Sequence, residues 1–263
     1  MTWLMSLPVA VLVIGGLALA LLVTVGGRLA ARALVPVTER DAAYTIAAPL
    51  MPALGALFAL FMGLTLANEA STLASAQGIV SNEAADASRL AWAATSPGIN
   101  SAPIQSDLLG YLQATRTYEW HGSNAAEGDD PATAHAIASL EIAVRTQAAR
   151  PALGTPASTE LLASVDALTN DRRARLAGAS HQLPVLYVIV LVLSGVALIV
   201  NATVLTLRSS RRSAILASGL AAVIGLSLAL LFALGTPWRG PITVSGHPID
   251  AVVHDLDTGY FHP

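Results

Sequence analysis

The sequence predicts an all-α integral membrane protein: four transmembrane helices, with a helical insert between the second and the third. Three observations predict it. Residues 3–25, 44–67, 183–207 and 213–234 are apolar runs without Asp, Glu, Lys, Arg or His, and each reaches the roughly 20 residues a helix needs to cross the hydrocarbon core. The chain is 54% hydrophobic and only 12% charged, against about 25% charged in a soluble domain, and the deficit sits in those four runs. The residues between the second and third runs are ordinary in charge and carry apolar side chains at three- and four-residue steps, the spacing of one helix face. The chain therefore divides into membrane helices one and two (3–67), the insert (68–182), membrane helices three and four (183–235) and an extramembrane tail (236–263).

The first run is longer than the apolar core of a secretory signal and has no basic residues before it, so it is read as a retained membrane helix. The second run continues past the bilayer. From Asn68 to Ala94 there is no Pro, and Leu73, Ala76, Val80, Ala84, Ala87 and Ala91 mark one face. Ser96, Pro97 and Gly98 then break the helix. A second insert helix is predicted from Pro103, with Ser101 near its cap, through Ile104, Leu108, Leu112 and Thr115 to about Trp120. The small, acidic run 122–130 is a loop. Asp130 followed by Pro131 is a helix start, an acidic cap before Pro at the first helical position, and Ile137, Leu140, Val144 and Ala148 form that helix's face. A fourth insert helix carries Leu161, Val165, Leu168 and Leu176 and leads through Pro184 into membrane helix three. These stripes are rich in Ala, which predicts a thin core that the membrane part or a neighbouring subunit completes. In the tail, 242–244 is predicted as a short extended piece and 248–256 as a short amphipathic helix.

Orientation follows from Arg placement, because basic residues favour the cytoplasmic side. All 14 basic residues are Arg. Arg28, Arg32 and Arg40 follow helix one, and Arg208, Arg211 and Arg212 lie between helices three and four. Against these six stand Arg172, Arg173, Arg175 and Arg239. The bias places the insert and both termini outside the cytoplasm.

Several function classes lose support. The absence of Cys excludes disulfides, thiolate metal sites and cysteine nucleophiles. The formal net charge of −3 gives no sign of a nucleic-acid partner. His247 and His254 have no metal-ligand spacing, and neither a Gly-x-Ser-x-Gly elbow nor a Walker-type loop is present. The chain is thus read as a non-enzyme without a cofactor. Coupled transporters normally place ionisable groups within the membrane; here Asn201 is the one strongly polar side chain well inside a run. A passive pore needs no such group. Gly63, Thr65, Asn68 and Glu69, at the exit of helix two, are its candidate pore or interface residues, set against a plain interfacial helix end. Small residues recur every fourth position in helix four (Ala217, Ala221, Gly225, Ala229, Ala233) and in helix two (Gly55, Ala59, Gly63). They fit close helix packing, either within the bundle or between subunits.

The order of Glu83, Asp86 and Arg89, then Tyr111, Glu119 and Trp120, then Arg172 and Arg175 before Pro184, then Pro237, Trp238, Gly240 and Ser245 resembles the bestrophin-like domain family. These are small bacterial membrane proteins distantly related to bestrophin anion channels. The resemblance covers about residues 54–253. Trp238 stands where the family pattern has Phe, and Gly122 follows Trp120 where Pro is usual beside that Trp. The resemblance implies four membrane helices, a long second helix, a helical domain and a homo-oligomer, a pentamer in bestrophins, around a pore. It also implies a cytoplasmic helical domain, opposite to the Arg-based orientation. At the family positions, Glu83 and Glu119 come from the first two insert helices and Arg172 and Arg175 from the last. If those helices pack, the charges meet; otherwise they are solvated. The leading expectation is an oligomeric passive ion channel in a bacterial cell membrane. The alternative is a non-conducting scaffold whose insert binds a protein partner.

Overall fold

The structure is a computed structural model and describes residues 9–120, 129–151, 153–179, 184–207, 211–235, 237–238 and 242–261. Among the described residues all regular structure is helical. The helices are α1 (Val9–Leu34), α2 (Arg40–Ala93), α3 (Ser101–Ala114), α4 (Pro131–Ala148), α5 (Thr155–Ala179), α6 (Val185–Leu205), α7 (Arg211–Leu234) and α8 (His247–Asp257). A 3₁₀ turn, Val37–Glu39, precedes α2, and a π-helical turn, Thr115–Glu119, ends α3. Four helices are long and apolar enough to cross a membrane. The chain folds as two compact units, and α2 contributes residues 40–71 to the first and 72–93 to the second.

The membrane unit holds α1, the first part of α2, α6 and α7. Its core includes Ala20, Phe58, Leu191, Leu198, Ile224 and Leu231. At the α1–α7 crossing, a Cβ on Gly225 would fall 2.5 Å from the Gly16 carbonyl oxygen, and one on Gly16 would fall 2.7 Å from that of Gly225. Only glycine allows that approach, which dispersion rewards in lipid. Ala217, Ala221, Ala229 and Ala233 are buried. The helix-four stripe is therefore spent on packing within the unit. The helix-two stripe is different: Ala59 and Gly63 are exposed, and a Cβ on Gly55 or Gly63 would meet nothing within 4 Å. Asn201 donates through Nδ2 to the Ala47 carbonyl at 3.0 Å, tying α6 to α2. Its polarity is satisfied inside the bundle, as an apolar surrounding requires.

Two boundaries differ from the sequence reading. Helix α1 runs on to Leu34, so Arg28 and Arg32 lie in its last turns and not in a loop. No Pro intervenes before Pro36, and the helix carries through Gly26 and Gly27; Arg side chains at a helix end reach the interface along their aliphatic stems. Helix α7 begins at Arg211, which places Arg211 and Arg212 in its first turn. Residues 3–8, Arg208 and Arg239 lie outside the described residues.

The insert unit contains the rest of α2, with α3, α4, α5 and the tail. The predicted stripes are its core: Val80, Ala84, Ala87 and Ala91 on α2, Ile104, Leu108 and Leu112 on α3, Ile137, Leu140 and Val144 on α4, and Leu161, Val165 and Leu168 on α5. Ala148 and Leu176 are half-buried. Asp130 caps α4 by accepting from the Ala132 N–H at 2.8 Å, with Pro131 in the first turn. Helix α3 begins at Ser101, two residues before the predicted start, and its cap residue is Asn100. Gly98 turns the chain before it with φ +89°, in the left-handed region that glycine tolerates. The passage from α5 to α6 lies outside the described residues.

The tail completes this core. Val244, Ile249, Val252 and Phe261 are buried in it. Trp92 meets Tyr260 and Phe261 edge-on, with ring centroids 5.7 and 5.3 Å away. Ser245 donates its N–H to Gln77 Oε1 at 2.8 Å, and Arg116 pairs with Asp250 at 2.7 Å. The tail of the same chain supplies part of the cover that this thin core needs. The predicted extended piece forms no strand; Val244 donates one backbone bond to Pro237 O at 2.8 Å. Helix α8 matches the predicted amphipathic helix.

Candidate functional site

The insert is built around a buried charge network. Glu83 lies on the apolar face of α2, one turn after Val80, and is fully buried. On α5, Arg172 and Arg175 are three residues apart, so both leave the same face of the helix. Glu119 closes the π-helical turn after α3. A π turn inserts one residue into the helical register, and here it ends with Glu119 buried between the two Arg side chains.

Arg175 donates through Nε to Glu83 Oε2 at 2.7 Å, and through one terminal nitrogen to Glu83 Oε1 at 3.2 Å and Glu119 Oε2 at 2.9 Å. Arg172 donates to Glu119 Oε1 at 2.5 Å and to Asp129 Oδ1 at 3.0 Å. Tyr111, fully buried on α3, donates its hydroxyl to Glu83 Oε1. Trp120 lies under two cations, with the Arg175 guanidinium 5.8 Å and that of Arg116 5.3 Å from its ring centroid. Trp238 meets Trp120 edge-on at 5.7 Å. The Trp238 indole, where the resemblance implies Phe, extends the aromatic cover of the network.

Burial alone would lower the pKa of Arg175, but the field of Glu83, with Tyr111 and Glu119 adding to it, outweighs desolvation and raises it above the ordinary value. Arg172 also shifts upward: its desolvation is exceeded by its bond to Glu119 and the charge behind it. Burial, and then repulsion from Glu83, pushes the Tyr111 phenol well above its usual range, so it stays a donor. Two carboxylates and two guanidiniums balance, with Asp129 joining from the solvent side, where its side chain is 70% exposed. With each guanidinium engaged by carboxylates, the arrangement is a structural lock across α2, α3 and α5. Among the described residues no group of three or more His, Asp or Glu is placed to hold a metal ion.

The structure thus brings together all six family-motif residues: Glu83, Tyr111, Glu119, Trp120, Arg172 and Arg175. Sequence reading missed Asp129, which lies in the acidic loop with nothing to mark it, and the π turn, which has no sequence signature. The pore or interface candidates are not gathered on one face. Gly63 and Asn68 are exposed, and Thr65 returns its hydroxyl to the Phe61 carbonyl at 2.7 Å. Glu69 is fully buried; its Oε1 accepts a long 3.4 Å bond from Asn68, and its Oε2 has no partner among the described residues.

A comparison with protein-family models matches residues 18–249 to the bestrophin-like domain. The chain belongs to the bestrophin-like domain family. The match begins upstream of the resemblance traced in the sequence and takes in most of α1 and the other three membrane helices of this bestrophin-like chain. No curated protein and no solved structure matches the chain. Gly122, the second departure from the family pattern, lies outside the described residues.

Proposed function

We propose that this bestrophin-like protein is one subunit of an oligomeric passive ion channel. The observation that carries the reading is the bestrophin-like domain over residues 18–249. The charge-free membrane runs support it, since a coupled pump would need ionisable groups there. The exposed Ala59 and Gly63 on α2 support it too, as a small-residue face free for a pore or a second copy. Reconstituted protein should pass chloride or a common cation faster than empty liposomes. Gly63→Trp should abolish that flux; a Cβ there meets nothing within the subunit, so the subunit itself accommodates the substitution. Absence of flux for every common ion sinks the channel reading.

A second reading, a non-conducting scaffold acting through the insert, is favoured by Trp92 and Tyr260, which stay 48% and 62% exposed on that unit. Aromatic side chains are enriched where partners dock. In either case the proposed setting is a bacterial cell membrane, with the insert and both termini outside the cytoplasm, on the bias of Arg28, Arg32, Arg40, Arg208, Arg211 and Arg212. A reporter fused after Pro263 that works only in the cytoplasm should be silent; activity there reverses the orientation.

A further inference from the structure

Helices α2 and α5 run antiparallel along a seam that can be read rung by rung. A Cβ on Gly178 would lie 3.8 Å from Ile79 Cδ1. Four residues along α2 and three back along α5, Glu83 meets Arg175 at 2.7 Å. A further three along α2 and four back along α5 bring Asp86 opposite Asp171, close enough for each carboxyl to act on the other. Both residues are half-buried. Asp171 Oδ2 is shielded from solvent and has no donor among the described residues. Two carboxylates have no donor between them, so a bond across this rung requires a proton.

No described cation is bonded to the pair. Arg89, one turn beyond Asp86, pairs with Glu160 at 2.8 Å. Arg175 and Arg172 are held by Glu83, Glu119 and Asp129. Arg173 donates to Asn170 at 3.3 Å. From α4, Arg145 reaches Asp166 at 3.8 Å, Glu141 accepts from Thr169 at 3.0 Å, and His135 is exposed. From α3, Tyr111 is committed to Glu83. Glu83 adds negative field to the pair.

We infer that Asp86 and Asp171 form a proton-shared rung that fastens α5 to α2 in acid and weakens when the proton leaves, a pH-sensitive element in the insert. Desolvation first, then the contact with Asp86 and the charges of Asp86 and Glu83, push the Asp171 carboxyl up to about 6 from an ordinary 3.8. An acid raised on folding binds its proton more tightly in the folded state. Its contribution is complete below the unfolded value near 3.8 and is lost as pH rises through about 6. The inference goes beyond the channel reading and does not depend on it.

The test uses the full-length protein in detergent. The melting temperature of the wild type should fall by several degrees as pH rises from mildly acid to mildly alkaline. Asp171→Asn, which supplies a permanent donor, should flatten that fall and melt higher than the wild type at alkaline pH. Asp86→Asn should do the same, and it serves if the first variant does not fold. Infrared difference spectra should show a protonated carboxyl in acid that disappears on raising the pH and is missing from both variants. Equal pH slopes in wild type and variants, or a carboxyl band that survives both substitutions, overturns the inference. So does stabilisation of the wild type by calcium at alkaline pH that both variants lose, which would make the rung a cation site.

Discussion

Glu83 spends both carboxylate oxygens inside the protein, on Arg175 and on the Tyr111 hydroxyl. Taking these groups out of water is costly, and removing one partner leaves the other charge buried and bare, at about 3–5 kcal/mol. Glu83→Gln should therefore lower stability by about 3 kcal/mol. Adding Arg175→Gln should cost less than the two single losses together, because the pair fails as a unit. Arg175 also serves Glu119, so the double variant will not recover fully. Thermal unfolding of the four-member cycle in detergent checks this, and single losses below about 0.5 kcal/mol would instead mean solvated surface charges. The residue types of this network were legible in the sequence; their meeting was only one of two readings. Burial decided between them, and burial depends on how three separated helices pack. Glu69 shows the same limit, since nothing in its neighbourhood distinguishes an interfacial side chain from the fully buried one observed.

At the scale of elements, helices were readable wherever apolar spacing and a breaker coincided. The run from Ala76 to Ala91 and the start at Asp130 and Pro131 each combine a periodic face with a defined end. The π turn at Thr115–Glu119 was not readable, because it arises from packing and not from residue type. The docking of the tail was equally hidden, since contacts such as Ser245 with Gln77 join residues far apart in the chain. Nor could spacing alone tell an inward small-residue stripe from an outward one. Gly225 faces Gly16, while Gly63 faces open space. The two should respond oppositely to added bulk. Gly225→Val should separate α1 from α7 and destabilise the membrane unit by about 1–3 kcal/mol, the cost of overpacking, seen as a lower melting temperature in detergent. Gly63→Val should leave the melting temperature of the isolated subunit unchanged. Equal effects at both positions would contradict the crossing.

At the scale of the molecule, the chain adds its own tail to the core of its extramembrane unit but leaves much of its membrane surface uncovered. Ile14, Leu22, Leu64, Leu193 and Leu216 all point outward, more than half exposed. Lipid covers such faces, as would other copies of the chain in the proposed oligomer. The proposed channel sets such copies around a central path, with the exposed face of α2 between them. The division into membrane helices and a helical insert was evident from run length and charge alone, because the bilayer imposes both. The number of subunits was not, because association in lipid rests on shape more than on composition. Native mass measurement of the protein released from detergent tests the central claim most directly. The account predicts one discrete species containing several subunits. A monomer that persists at every protein and detergent concentration would contradict it.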